Sequence, residues 1–478
     1  MKRAFRFRRT RLAAAVGSVV LSLAAGHAGL AYGSAFALQE QSGSGLGNAF
    51  AGGAASAEDA STIFTNPAGM SRLSNTQAVV AGRLICLSAK LHDNGSQPAM
   101  FQPLGGEGGD AGSCAGVPAA YLAVPINNQW SFGLGINAPF GLETEYDSDW
   151  LGRFQAEKSK VETINVNPAV SFKASDMVTI GGGFNYQHIR ATLSNKVNYA
   201  GAIAQAGAQA AAAGQIPAAA VAPIVGAYAG AESDATVSGN DGGWGWNIGI
   251  LVNIDPQTRF GAAYRSKIKY DVSGSANINN PPVPALPPPL ASLAPVAAAL
   301  ANAVNGVLAS GDITLALKVP DTGNVSIFRQ IDRTWDVMAD AQYTGWSSVQ
   351  NLTVVRSTGV VLSTTPENFR NTWRGSVGAN YHYTDQWMFR GGLAFDQSPI
   401  RDAQRTPRLP DNDRTWISVG AQYKFSPQLA LDAGYTYIFV KDPNINQNEG
   451  STATSGLISG AYKASVNILA AQLTYTFK

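Results

Sequence analysis

Residue types that do chemistry are scarce in this chain, and their spacing does not suit catalysis. Beyond residue 33 the histidines are His92, His188 and His382, far apart along the chain. No Gly-x-Ser-x-Gly, His-Glu-x-x-His or Cys-x-x-Cys run occurs, nor the Gly-Lys of a phosphate-binding loop. A nucleophile needs a base beside it, and a metal needs several ligands at set distances. The expectation is a protein that is not an enzyme and holds no metal and no cofactor. Two other constellations stand out. Asn66-Pro67-Ala68 is a turn signal, because proline fixes φ and asparagine bonds nearby backbone. Asn137-Ala138-Pro139-Phe140-Gly141 follows a cleanly alternating stretch, and Pro139 removes a backbone donor there.

The chain around these residues is unlike a soluble protein. Of 478 residues only 14% are charged, 51 are glycine and the mean hydropathy is −0.03; soluble domains carry about 25% charge. No apolar run after residue 34 reaches the roughly 20 residues of a spanning helix. A net charge of +2 gives no reason to expect nucleic acid. Lys2, Arg3, Arg6, Arg8, Arg9 and Arg11 precede an apolar run from Leu12 to Ala25 and the small-x-small site Ala31-Tyr32-Gly33. This pattern predicts a signal peptide over residues 1–33 and an exported protein. Cys86 and Cys114 then meet an oxidising compartment, where a disulfide would tie the outer end of the first strand to the loop after it.

From about residue 76 onward the chain alternates. Trp130, Phe132, Leu134 and Ile136 share one face of a strand, as do Trp244, Trp246, Ile248 and Ile250. The same period places Phe260, Ala262, Tyr264, Ile268 and Tyr270 together on an outward face. Six tight joins (127–129, 174–177, 255–258, 331–334, 384–386 and 426–428) alternate with seven long ones, which predicts fourteen strands. Short turns on one side and long loops on the other are the pattern of a transmembrane barrel. Trp130, Phe172, Trp335, Tyr383, Trp387 and Phe425 crowd the tight turns, as an aromatic girdle would. The two longest loops, 195–242 and 273–315, hold Ala-rich inserts whose apolar residues need burial, against each other or against an apolar molecule. Residues 34–75 lack any period and read as a compact plug inside the barrel formed by 76–478. A break at Pro139 would bend the third strand and leave a gap towards lipid, best lined by the plug.

The blocks SGSGLGNAFAGGAASAEDASTIFTNPAGM (42–70), NAPFGLETEYDSDWLGRF (137–154), NIGILVNIDPQTRFGAAYRSKIKYDVSG (247–274), FRGGLAFDQSPI (389–400) and RLPDNDRTWISVGAQYKF (408–425) give the chain its family likeness. It resembles the FadL-type outer-membrane transporters of long-chain fatty acids, a family that includes channels for aromatic hydrocarbons. The resemblance implies an N-terminal hatch whose Asn-Pro-Ala matches Asn66, Pro67 and Ala68. It implies a lateral opening at Ala138, Pro139, Phe140 and Gly141, and an apolar capture groove on the two longest outer loops. It is poor within 200–240 and 275–315. The positions it assigns to carboxylate-binding bases are Asn195 and Thr365, so Lys196 and Arg356 nearby become the head-group candidates. The family usually ends in an aromatic residue, whereas Lys478 follows Phe477 here.

The expectation is an all-β, 14-stranded antiparallel transmembrane β-barrel with an N-terminal hatch, acting as a monomer in the bacterial outer membrane. Its expected role is passive uptake of long-chain fatty acids or similar hydrophobic molecules through a kinked strand. Its expected partners are that ligand, the lipid bilayer and lipopolysaccharide. The alternatives are an aromatic-hydrocarbon channel, a general diffusion porin, or an adhesin.

Overall fold

The computed structural model describes residues 35–478, so the signal peptide expected over 1–33 lies outside the described residues. Twenty strand segments join into fourteen antiparallel passes closed on themselves. β1 is Gln77–Asp93, β2 Cys114–Pro125, and β3 Trp130–Asn137 continued after a break by Gly141–Glu145. β4 is Lys158–Lys173, β5 Val178–Asn198 and β6 Glu232–Asn253. Four passes are interrupted once each: β7 (Thr258–Arg265, Ile268–Asn279), β8 (Gly311–Val319, Thr322–Gln330), β9 (Trp335–Thr344, Asn351–Arg356) and β10 (Val361–Pro366, Thr372–His382). β11 is Trp387–Asp396, β12 Arg414–Ser426, β13 Leu429–Val440 extended by Asn444–Gln447, and β14 Ile458–Thr476. β14 pairs with β1 from Thr476↔Gln77 to Gly460↔Asp93. Closure removes the free edges that would expose unpaired backbone to lipid.

Alternation sorts the side chains. Trp246, Ile248, Ile250, Leu393 and Val419 face outward and are exposed, while Asn247, Ser418 and Gln472 face inward and are buried. Ring pairs band the outer surface at two heights. Near the tight turns lie Trp130–Phe172, Trp335–Tyr381 and Trp387–Tyr423, with centroids 4.7, 4.8 and 4.7 Å apart. Towards the long loops lie Tyr343–Trp373 and Trp246–Tyr264, at 5.4 and 5.3 Å. Trp335 and Tyr343 lie roughly 26 Å apart along β9, which is about 20 Å in height at a strand tilt of about 40°, somewhat less than the ~25 Å apolar band of such barrels.

Two strand-level expectations are corrected. β5 and β6 run on to Asn198 and from Glu232, so the loop between them is 199–231 rather than 195–242, and the β7–β8 loop is likewise 280–310 rather than 273–315. Above the membrane Ile189, Ala191, Leu193 and Val237 still alternate with polar residues, but their apolar side is turned to the lumen, the reverse of the lipid-facing pattern below. Ile268 and Tyr270 do not share the outward face of Tyr264. The interruption at Ser266-Lys267 shifts the register, and both side chains turn inward to 3% and 1% exposure. The two Ala-rich loops fold as helices α1 (Tyr199–Ala212), α2 (Ala218–Ala227) and α3 (Ala294–Val307). They bury Ile203, Ile224, Leu300 and Val304 against one another.

Residues 35–76 lie inside this wall. Their polar contacts run round the ring, to Tyr121 on β2, Ile250 on β6, Ser326 on β8, Met338 on β9 and Gln472 on β14. Four inward arginines hold the segment by its main chain. Arg259 donates to Ala55 O and Ser56 O at 3.0 Å each, and Arg265 to Phe64 O at 2.9 Å. Arg374 donates to Ala49 O at 2.6 Å and Arg390 to Ser44 O at 2.7 Å. Arg390 also pairs with Glu58 of the segment and with the wall's Asp432. Guanidiniums withdrawn from water in this way persist because each is hydrogen-bonded, and Arg390 is ion-paired as well.

Candidate functional site

The upper half of the lumen encloses a cavity of about 170 Å³. Leu142, Leu315, Leu317, Val354 and Phe369 belong to its apolar wall, and Phe36 of the lumenal segment forms its floor. Phe36 is wedged between Phe140 and Trp346, with ring centroids 5.8 and 4.8 Å away. An apolar wall with few polar groups at one end is the usual form of a site for a hydrophobic ligand.

Those polar groups sit on the loop side. Arg408 is fixed by hydrogen bonds to Lys158 O, Ser159 Oγ, Ser194 O and Asn195 Oδ1, at 3.2 to 3.3 Å. Glu367 and Glu449 line the same end. Burial pushes the Glu367 carboxyl up to about 7; Arg408 opposes this and Glu449 adds to it. Asn195 and Thr365, the positions assigned to bases by resemblance, do line this cavity. Lys196 and Arg356 do not. Lys196 pairs with Asp234 and with Glu157 at 3.8 Å. Arg356 donates to Val307 O and Ala309 O at the end of α3. Neither side chain lines the cavity, whereas Arg408 does. Arg408 opens the 408–425 block, but it lies in an aperiodic loop between Pro407 and Pro410, where spacing gives no direction.

Below the cavity the third strand breaks. Asn137 pairs with Asn165 and Gly141 with Glu162, so Ala138, Pro139 and Phe140 stand opposite only Thr163 and Ile164. Such a bulge bends the strand. Above the break, Gly141–Glu145 pairs with β4 alone, while β2 first meets β3 at Ala120↔Ile136. Residues 114–119 of β2 therefore have no ladder partner in β3 among the described residues. Glu145 N donates to Ala111 O at 3.1 Å and closes the top of this window. The lumenal segment supplies the missing edge. Leu38 N donates to Pro139 O and Gly141 N to Phe36 O, each at 2.8 Å, and Gln41 Nε2 donates to Ala138 O at 3.0 Å. Leu38 packs with Val117 and Ala138. Phe36–Leu38 thus separates the cavity from the window. Cys86 and Cys114 are joined in a disulfide at the outer end of the β1–β2 ladder, beside the window.

Asn66 lies at the other end of the segment and is fully buried. Its side-chain amide donates to Ala54 O at 2.7 Å and to Ile250 O on β6 at 2.9 Å, and its Oδ1 accepts from Ala68 N at 3.0 Å. The turn touches bare backbone of the wall. A Cβ at Gly249 would overlap Asn66 Oδ1, and one at Gly181 would overlap Pro67 and Ala68.

Residues 24–477 match the model of a family described as Outer membrane protein transport protein (OMPP1/FadL/TodX). The chain belongs to this family. This FadL-family chain is 30% identical over 446 residues to the Long-chain fatty acid transport protein of Salmonella typhi, across 92% of this chain and 93% of that one. It is 30% identical to the protein of the same name from Escherichia coli K12, across 92% and 94%. Its fold matches the crystal structure of a Pseudomonas aeruginosa FadL homologue, with a TM-score of 0.80, 27% identity and coverage of 93% and 100%. The Pseudomonas putida toluene transporter TodX, at 18% identity and a TM-score of 0.63 over 87% and 94%, shares the fold. The FadL-family chain described here is accordingly an outer-membrane β-barrel.

Proposed function

We propose that this chain carries long-chain fatty acids or similar hydrophobic molecules passively across the outer membrane, without chemistry on the ligand. The observation that carries this reading is the largely apolar cavity whose floor, Phe36, belongs to the segment that fills the strand-3 window. Ligand leaves the lipopolysaccharide leaflet at the loop face and enters the cavity with its apolar chain downward. The 36–41 segment then shifts, and the ligand passes sideways between β2 and the upper part of β3. The apolar lining keeps the chain out of water on the way, which would otherwise cost about 0.8 kcal/mol per exposed CH₂. Each step uses residues of one chain, which supports action as a monomer. Asn66, Pro67 and Ala68 act as the anchor about which the hatch rearranges. A diffusion porin is disfavoured because residues 35–76 occupy the lumen that polar solutes would need.

Expression in cells that lack their own long-chain fatty acid transporter tests the reading. Uptake of radiolabelled hexadecanoate should rise several-fold over the empty vector. Vector-level uptake from a barrel that is abundant and heat-modifiable in the outer membrane would overturn it.

A further inference from the structure

The cavity's polar end is not the simple cationic socket that a carboxylate ligand would favour. Arg408 is the only basic residue lining the cavity among the described residues, and two carboxylates share that end. Arg408 faces Glu367, Glu449 and Tyr146, and Glu367 faces Arg408 and Glu449. Glu367 is 8% exposed, and its carboxylate accepts no hydrogen bond from any described residue. Its oxygens are open to the cavity it lines, and an incoming group that donates would find them without a protein donor. With both glutamates ionised the end carries one positive and two negative charges, so a bare carboxylate would add to the repulsion.

We propose that Glu367 and Arg408 form a head-group site for an end group that both donates and accepts a hydrogen bond. A carboxylic acid or a hydroxyl qualifies, whereas a bare carboxylate is admitted only when one proton is taken up with it. The inference rests on the uptake reading above and names the ligand class of the same cavity. In the bound acid, one proton lies between the ligand carboxyl and Glu367, while Arg408 donates to the ligand's other oxygen. Two carboxyl groups this close do not both ionise. The buried position of Glu367 already holds its carboxyl ready for that proton. A hydroxyl donates to Glu367 and accepts from Arg408 with no change in charge.

The test is binding to the full-length purified barrel in a non-ionic detergent, with hexadecanoate and hexadecan-1-ol as probes. Above about pH 7.5 the Kd for hexadecanoate should rise about tenfold per pH unit, the signature of one proton bound with the ligand. The Kd for hexadecan-1-ol should stay within about threefold over the same range. Glu367→Gln, which keeps the shape and removes the charge, should flatten the hexadecanoate curve and tighten its binding at the alkaline end. An unchanged slope in Glu367→Gln, or hexadecanoate binding with no binding of hexadecan-1-ol, overturns the inference and leaves the uptake reading standing. If neither probe binds the wild-type barrel, the uptake reading fails and this inference fails with it.

Discussion

Asn66 concentrates several roles in one side chain. It bonds Ala54 within the hatch and Ile250 on the wall, and caps the turn at Ala68. Asn66→Ala leaves two buried carbonyls without that donor, at about 1 kcal/mol or more each. The barrel ladder does not pass through Asn66, so its thermal transition should move little. Uptake should fall several-fold, because the turn no longer returns to one position. Heat-modifiability on gels together with hexadecanoate uptake checks this, and wild-type values for both would remove Asn66 from the mechanism. The residue was legible because asparagine before proline has a local meaning. Arg408 was not, because its direction is set by Ser159, Ser194 and Asn195, which meet only in the closed barrel. Lys196 and Arg356 illustrate the converse, since a base near the right position still points where its own partners lie.

Among the elements, the third strand decides how ligand would leave. Pro139 was readable as a break because it lacks a donor. That the hatch, rather than β2, pairs with the break was an inference from the cost of unpaired backbone in lipid. Pro139→Val restores the donor and favours a continuous strand. It should lower uptake by an order of magnitude while hexadecanoate binding stays within about twofold. Gly141→Trp should do the same by filling the window. Loss of binding and uptake together, or of neither, would mean that ligand does not use this window. The β1–β2 disulfide belongs to the same element. Upper β2 has a ladder with β1 alone, and the bridge secures its outer end. Replacing Cys86 and Cys114 with serine should cost about 2–4 kcal/mol and raise amide exchange over residues 114–119. Unchanged protection there would show that the ladder alone holds the edge. Strand positions were legible wherever one face met lipid. They were lost above the outer girdle, where the apolar side of β5 and β6 turns from lipid to the lumen, and at Ser266-Lys267, where a register slip left no trace in composition.

For the whole molecule, the fourteen passes and the tight-turn girdle followed from alternation and loop lengths, because lipid outside and polar atoms inside impose a strict period. The filled lumen predicts electrical silence. In planar bilayers the intact chain should pass only a small fraction of the current of an open barrel of its size. A steady, porin-like conductance would mean that residues 35–76 do not occupy the lumen in the membrane. The grip of Arg259, Arg265, Arg374 and Arg390 on the carbonyls of Ala55, Ser56, Phe64, Ala49 and Ser44 has a consequence for how wall and hatch fit. Every residue type offers a carbonyl, so these four arginines recognise the path of the inner chain rather than its spelling. Its spelling matters instead where a side chain, or the lack of one, meets the wall, as at Asn66, Gly43 and Gly47. The barrel behaves as a socket keyed to the course of the hatch and to those few positions.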